Sequence, residues 1–212
     1  MFRGCFIVGC GDDGLWSGQP NSVSLVVRQG NPAPDPAGAS SGDTFVNLFN
    51  PVLNDAGAIA FRAQTTGQNN EGIWRRASQF GPQLKRIVRK NDFLRGTSLQ
   101  FAAFGTDLAI SETGEIAFTA TMSDSKMGLF TTVQLGANPV IVKIVKEGEA
   151  FDFTPTLSKV VANIVFYPGA YPMGTTGFIH VDSSPAQPQA VGFALSFTDV
   201  PQSRALVLST VE

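Results

Sequence analysis

Charge is scarce in this sequence. Asp, Glu, Lys and Arg make up 15% of its 212 residues, against about 25% in an ordinary soluble domain. Long solvent-facing helices, which need charge on their outer face, are thereby excluded as the main building material. The formal net charge is −2, so no strong overall field draws the molecule to nucleic acid or an anionic membrane. Nucleic acid is not an expected partner, and any electrostatic partner must be met by a local patch. No apolar run approaches the roughly 20 residues of a membrane-spanning helix. With a single histidine beside two cysteines, a zinc site of three or four His and Cys ligands is not expected. Neither a metal nor a cofactor is expected. Cys5 and Cys10, five apart on an extended strand, point to opposite faces and are read as small buried residues rather than a disulfide. The "FIVGC" that ends at Cys10 has the form of a lipoprotein box. Its apolar stretch is a few residues where an export signal needs about 7–15. No signal peptide is expected, and the compartment is left open.

What the sequence does have is Gly (22), Pro (13) and Phe (17), a composition suited to many short strands joined by turns. The length fits one large all-β domain, a class that often reaches roughly 200–250 residues. Within it the chain repeats itself. Residues 52–63 read "VLNDAGAIAFRA" and residues 109–120 read "AISETGEIAFTA". Each is followed by a polar loop, then "EGIW" or "MGLF", then "RIVRKND" or "KIVKEGE". The opening "RGCFIVGCGDDGLW" falls into the same frame: Phe6 matches Phe61 and Phe118, and Gly14-Leu15-Trp16 matches Gly72-Ile73-Trp74. Arg28, Arg89 and Lys146 then occupy equivalent positions.

The turn chemistry is local. Asn54 to Gly57 and Ser111 to Gly114 place Asn or Ser first and Gly fourth, the preference of a type I β-turn. Beyond the turn, Ile59 and Phe61 share one face while Ala58, Ala60 and Arg62 share the other. A bulky face backed by a small one suits a sheet stacked closely between neighbours. Each unit reads as a four-stranded antiparallel meander. The expected fold is an all-β, β-propeller-like array of about four blades in one domain, 1–212. Its copies fall near 1–50, 51–107, 108–165 and a degraded 166–212, the last holding "VGFALSFTD" and "RALVLSTV".

Asn54, Gly57, Ala60 and Phe61, and Gly114, Ala117 and Phe118 with Ser111 in place of Asn, resemble the bacterial choice-of-anchor tandem repeat proteins named for an NxxGxxAF motif. The resemblance covers the first 150 or so residues well. It implies a propeller-like repeat protein, usually exported and surface-anchored, without an established enzymatic activity. This chain departs from that pattern in showing neither export signal nor C-terminal anchor.

Candidate sites are few. "GCGDDG" leads into no helix, so it is not a phosphate loop, and Asp12 and Asp13 are too few for a calcium site of 6–8 oxygens. A solvated turn is the expectation there. His180 and Asp182, two apart on a strand, share a face and form the one weak catalytic pair. No serine sits in a nucleophile turn. Trp74 to Gly96 holds seven of the fifteen basic residues, Arg75, Arg76, Lys85, Arg86, Arg89, Lys90 and Arg95. Paired outer strands would put several of them on one solvent face, as a guard against edge pairing or a patch for a polyanion. Residues 30–43, "GNPAPDPAGASSGD", read as a long exposed loop, and residues 166–178 carry both tyrosines among prolines and glycines.

The leading function is a non-catalytic binding or interaction module that meets a polyanion or glycan through blade loops. One alternative is an assembly unit. As a homo-dimer it would join through blade edges, with Phe2 to Cys10 and Val191 to Val211 nearest the contact. The other is a hydrolase or lyase acting in a central cleft.

Overall fold

The computed structural model describes residues 14–19, 21–76, 83–135, 138–168, 178–180, 189–199 and 203–211. Among these residues the chain is all β, antiparallel throughout, in four sheets and without a helix. The first sheet pairs β1 (Gly14–Gln19) with β2 (Ser22–Arg28). The second runs in chain order through β3 (Pro32–Pro34), β4 (Ser40–Leu53), β5 (Ile59–Thr65), β6 (Glu71–Arg76) and β7 (Lys85–Arg89). The third is the meander β8 (Phe101–Ile110), β9 (Ile116–Met122), β10 (Met127–Leu135) and β11 (Asn138–Lys146). The fourth contains β12 (Ala150–Thr154), β13 (Leu157–Phe166), β14 (Phe178–His180), β15 (Gln189–Phe197) and β16 (Arg204–Val211). There β13 and β14 pair with different stretches of β15, and β16 completes the sheet.

Three places share one register. Gly14 lies opposite Arg28, Gly72 opposite Arg89 and Gly128 opposite Lys146. In each pair a bulge follows at the same step, between Leu15 and Trp16, Ile73 and Trp74, or Leu129 and Phe130. The chain then leaves each sheet by the same turn. Gly30, Asn91 and Gly148, at φ 81°, 68° and 79°, donate their N–H groups to the carbonyls of Phe45, Phe101 and Val161. Asparagine tolerates this left-handed conformation better than most side chains, which explains its use in the middle turn.

The glycine of each Gly-X-aromatic triplet has a steric reason. A Cβ on Gly72 would stand 2.5 Å from the Val88 carbonyl oxygen and 3.0 Å from the Trp74 ring. On Gly128 it would meet the Phe130 ring at 2.6 Å, and on Gly14 the Trp16 ring at 2.7 Å. Each aromatic thus lies flat across the glycine two residues before it.

The sheets stack large face on small face. Phe45, Phe61 and Trp74 pack towards Leu15 and Val27 of the first sheet. The reverse face of the second sheet, with Ala58, Ala60, Ile73 and Val88, receives Phe101, Phe118 and Phe130 of the third. Ala109, Ala117, Leu129 and Val145 in turn receive Phe193, Leu195 and Phe197 of the fourth. Phe101 meets Phe130 edge-on at 5.1 Å, and Phe45 meets Trp74 edge-on at 5.0 Å. Burying one such side chain contributes about 1.5–3 kcal/mol, and an aromatic pair about 0.5–1.5 kcal/mol more.

Two expectations are corrected. Residues 30–43 do not form a long open loop, because β3 pairs with β4 and Ala33 is buried. The Asp35 carboxylate accepts from the N–H groups of Ala37 and Ala39, and Gly38 closes the turn at φ 92°. Asp first, Pro second and Gly fourth is a turn signal, and prolines are tolerated in the short strand because it lies at the edge. The copy boundaries at 50/51 and 107/108 fall inside β4 and β8. The strand that ends at each Asn or Ser turn belongs to the same sheet as the strands that follow it.

Candidate functional site

The basic segment is built on β6 and β7. In β6, Gly72 and Trp74 face the first sheet while Ile73 faces the third, so the two arginines that follow diverge. Arg75 is buried and donates to the Gly114 carbonyl at 2.8 Å, across to the turn before β9. Burial pushes its pKa down to about 10 against the opposing charge of Glu115, and it remains a cation at neutral pH. Arg76 goes the other way and donates to the Ser17 hydroxyl at 2.9 Å, its pKa also lowered by burial.

On β7, Arg86 lies in register with Trp74. Burial lowers its pKa, with Asp92 opposing the shift first, Arg89 adding to it, and Asp35 and Asp43 opposing it in turn. Arg89 bridges to Asp43 at 3.3 Å. Lys85, opposite Arg75, and Lys90 are half-buried, and Arg95 is exposed. The seven residues therefore do not form one solvent-facing stripe. A period-2 strand sends alternate side chains to opposite faces, and both faces of this sheet are covered.

A residue that turn chemistry alone undervalues is Asn54. Its side-chain oxygen accepts from the Ala58 N–H at 2.8 Å, as a turn former does. Its amide nitrogen, however, donates to the carbonyls of Ser111 at 2.6 Å and Glu112 at 3.1 Å, on the next sheet. Arg62 makes a similar tie, donating to Glu71 at 3.1 Å and to the Phe104 carbonyl at 2.9 Å. Aspartate or serine would serve the turn equally, and the choice of an amide was the one available signal.

The remaining candidates are less informative. His180 stands in β14 opposite Gln189, whereas Asp182, Cys5, Cys10, Asp12 and Asp13 lie outside the described residues. Among the described residues no three His, Cys, Asp or Glu side chains gather as metal ligands, and no helix is long and apolar enough to cross a membrane. Ser203 approaches Lys159 at 2.7 Å, but that lysine also binds Asp199 at 2.6 Å. The Lys159 ammonium, then Ser203, holds the Asp199 carboxyl well below the usual range. Ser203 in turn donates to Asp199 at 2.7 Å, so the three side chains form one hydrogen-bonded cluster.

One cleft of about 380 Å³ opens beside β3. It is lined by Val26, Val27, Asn31, Pro32, Pro34, Gly38, Ser40, Gln83 and Leu84. Of these, Pro34 is held by the indole of Trp74, which donates to its carbonyl at 3.1 Å. The polar lining consists of two carboxamides and a hydroxyl, without a formal charge.

A protein-family profile, described as a family of unknown function (DUF7453), matches residues 3–199. The chain belongs to this family. No curated protein and no solved structure matches it. In this DUF7453 chain the matched span takes in the Asn54 turn, the basic segment and the residues lining the cleft. It ends before β16.

Proposed function

We propose that this chain is a non-catalytic interaction module of the β-propeller type. Its four sheets act as about four blades, of which the third is a plain four-stranded meander, and its ligand meets the loops beside β3. The observation that carries the reading is the employment of its buried polar groups. Asn54, Arg62, Arg75 and Arg76 each reach from one sheet to the next, which serves rigidity rather than turnover. The NxxGxxAF resemblance of Asn54, Gly57, Ala60 and Phe61 agrees with this reading.

The cleft beside β3 favours a neutral glycan over a polyanion. Carboxamides and a hydroxyl offer donors and acceptors to sugar hydroxyls, while Pro32 and Pro34 offer flat apolar contact. A glycan array run beside a broad hydrolase and lyase panel tests the proposal. Retention of neutral glycans that falls with Asn31→Ala and Gln83→Ala, with no turnover, is the expected result. Turnover that disappears with His180→Ala would overturn it in favour of an enzyme. The assembly reading is favoured by a separate observation on the fourth sheet.

A further inference from the structure

Register identifies corresponding residues in three sheets. Phe61 pairs with Trp74, Phe118 with Phe130 and Phe193 with Val207. The residue before each of these partners is then Ile73, Leu129 or Leu206. Ile73 is 2% exposed and Leu129 0%, each covered by the sheet that follows, as is Leu15 before Trp16 at 0%. Leu206 is 76% exposed. It occupies a position that three internal junctions bury.

The rest of that face agrees. Gly192 and Ala194 stand where Ala60 and Arg62 stand in β5 and Ala117 and Thr119 in β9, continuing the small-residue side. Asn163, Val165, Tyr167, Ala194, Ser196 and Arg204 line a shallow depression of about 250 Å³ there. Val165 is 42% exposed. At every junction inside the molecule such a face receives the aromatic side of another sheet. The first sheet has an aromatic side of this kind. Trp16 corresponds to Trp74 and Phe130. It is only half-buried, and Leu25 opposite it is 44% exposed.

We propose that the outer face of the fourth sheet, centred on Leu206, docks the Trp16 and Leu25 face of the first sheet of a second copy of this chain. The contact continues the stacking used three times within the chain. It rests on the reading of the sheets as blades. It is heterologous, joining unlike surfaces, so it closes only if the rotation permits. Two copies of four sheets make a ring of eight, within the range of known propellers, so a closed dimer is formed rather than a filament.

The test uses the 212-residue chain in sedimentation equilibrium, at concentrations up to about a hundred micromolar, where specific dimers of this kind are populated. The wild type is expected at twice its 22.5 kDa mass. Leu206→Lys and Leu25→Lys should each weaken dimerisation about 30-fold or more, as loss of a central contact does. Both positions are solvent-exposed in the single chain, and unchanged circular dichroism and unfolding midpoint establish that each variant folds. An equimolar mixture of the two variants should regain dimer, because one unaltered junction can still form between them. A wild type that stays monomeric would overturn the proposal, as would dimers that survive Leu206→Lys or a mixture that stays monomeric. A Leu206-to-Leu206 contact is separately recognised, because it would leave Leu25→Lys dimeric. Turnover in the enzyme panel would overturn the interaction-module reading without changing these masses.

Discussion

The side-chain amide of Asn54 donates to the carbonyl of Ser111, the residue that holds Asn54's own place in the turn of the next sheet. The two turns are otherwise alike. Asn54 N–H reaches Ala58 O and Ser111 N–H reaches Glu115 O, while Gly57 and Gly114 close them at φ 82° and 88°. A turn residue in one sheet thereby becomes the fastener of the next.

Substituting Asn54 separates these roles. Asn54→Ala leaves the Ala58 N–H and the two carbonyls short of a partner, at a cost of about 2–3 kcal/mol. Asn54→Asp keeps the turn acceptor but points an oxygen at two carbonyls, and is expected to destabilise more than alanine. Aspartate is as good as asparagine at the first position of such a turn, so a role confined to the turn would leave Asn54→Asp neutral. Urea unfolding midpoints at constant slope decide between them.

Gly72→Ala is expected to cost more than Gly128→Ala. The new methyl would press on the Val88 backbone carbonyl at 2.5 Å in the first case, and mainly on the rim of the Phe130 ring at 2.6 Å in the second. A ring can tilt where a paired backbone cannot. Losses of about 1–3 kcal/mol are typical of such overpacking. Equal midpoints in thermal unfolding would contradict the steric account of the Gly-X-aromatic triplet.

The basic segment separates in the same way. Arg75→Gln should lower stability, because it withdraws a buried donor from the Gly114 carbonyl, yet leave retention on a heparin column unchanged. Exchanging Lys85, Lys90 and Arg95 for glutamine should lower any such retention and change the unfolding free energy by no more than about 0.5 kcal/mol per site, as substitutions outside the core do. A heparin shift caused by Arg75→Gln alone would place that side chain in a binding surface.

Acid should weaken the fold through two partly exposed carboxylates. Asp124 is lowered by the hydrogen bond from Lys146, and Asp199 by those from Lys159 and Ser203, relative to an ordinary value of 3.8. A carboxyl with a lower pKa in the folded than in the unfolded state contributes fully above the unfolded value. Its contribution is lost as the pH falls through the folded one. Stability from these pairs should hold above about pH 5 and decline from about pH 4 downward. Asp124→Asn and Asp199→Asn should each flatten that decline, whereas an unaltered acid limb would remove these pairs from the account.

The readable parts of this molecule were those fixed by neighbours in sequence. The turns at Asn54 and Ser111, the alternation around Phe61 and Phe118, and the glycine-aromatic spacing each depend on a few adjacent residues. The pairing of Arg28, Arg89 and Lys146 with those glycines follows from the same spacing. The destination of the Asn54 amide and the burial of Arg75 depend on residues 57 and 39 positions away, which no local pattern encodes. Residues 30–43 were misread for a different reason, since their prolines and serines have the composition of a loop while Asp35 and Gly38 supply a turn. The chemistry around the cleft was not legible, because Asn31, Ser40 and Gln83 meet only after β3 folds against its neighbours.

Native-state hydrogen exchange at the amides of Gly30, Asn91 and Gly148 tests the central claim most directly, that the sheets are fastened into one stack by equivalent junctions. Each of these amides lies in a turn, yet each is bonded to a buried residue of the next sheet, Phe45 in β4, Phe101 in β8 or Val161 in β13. The account predicts that all three exchange as slowly as the strands on either side, because opening them requires adjoining sheets to part. Exchange as fast as an exposed turn, with the neighbouring strands still protected, would contradict it.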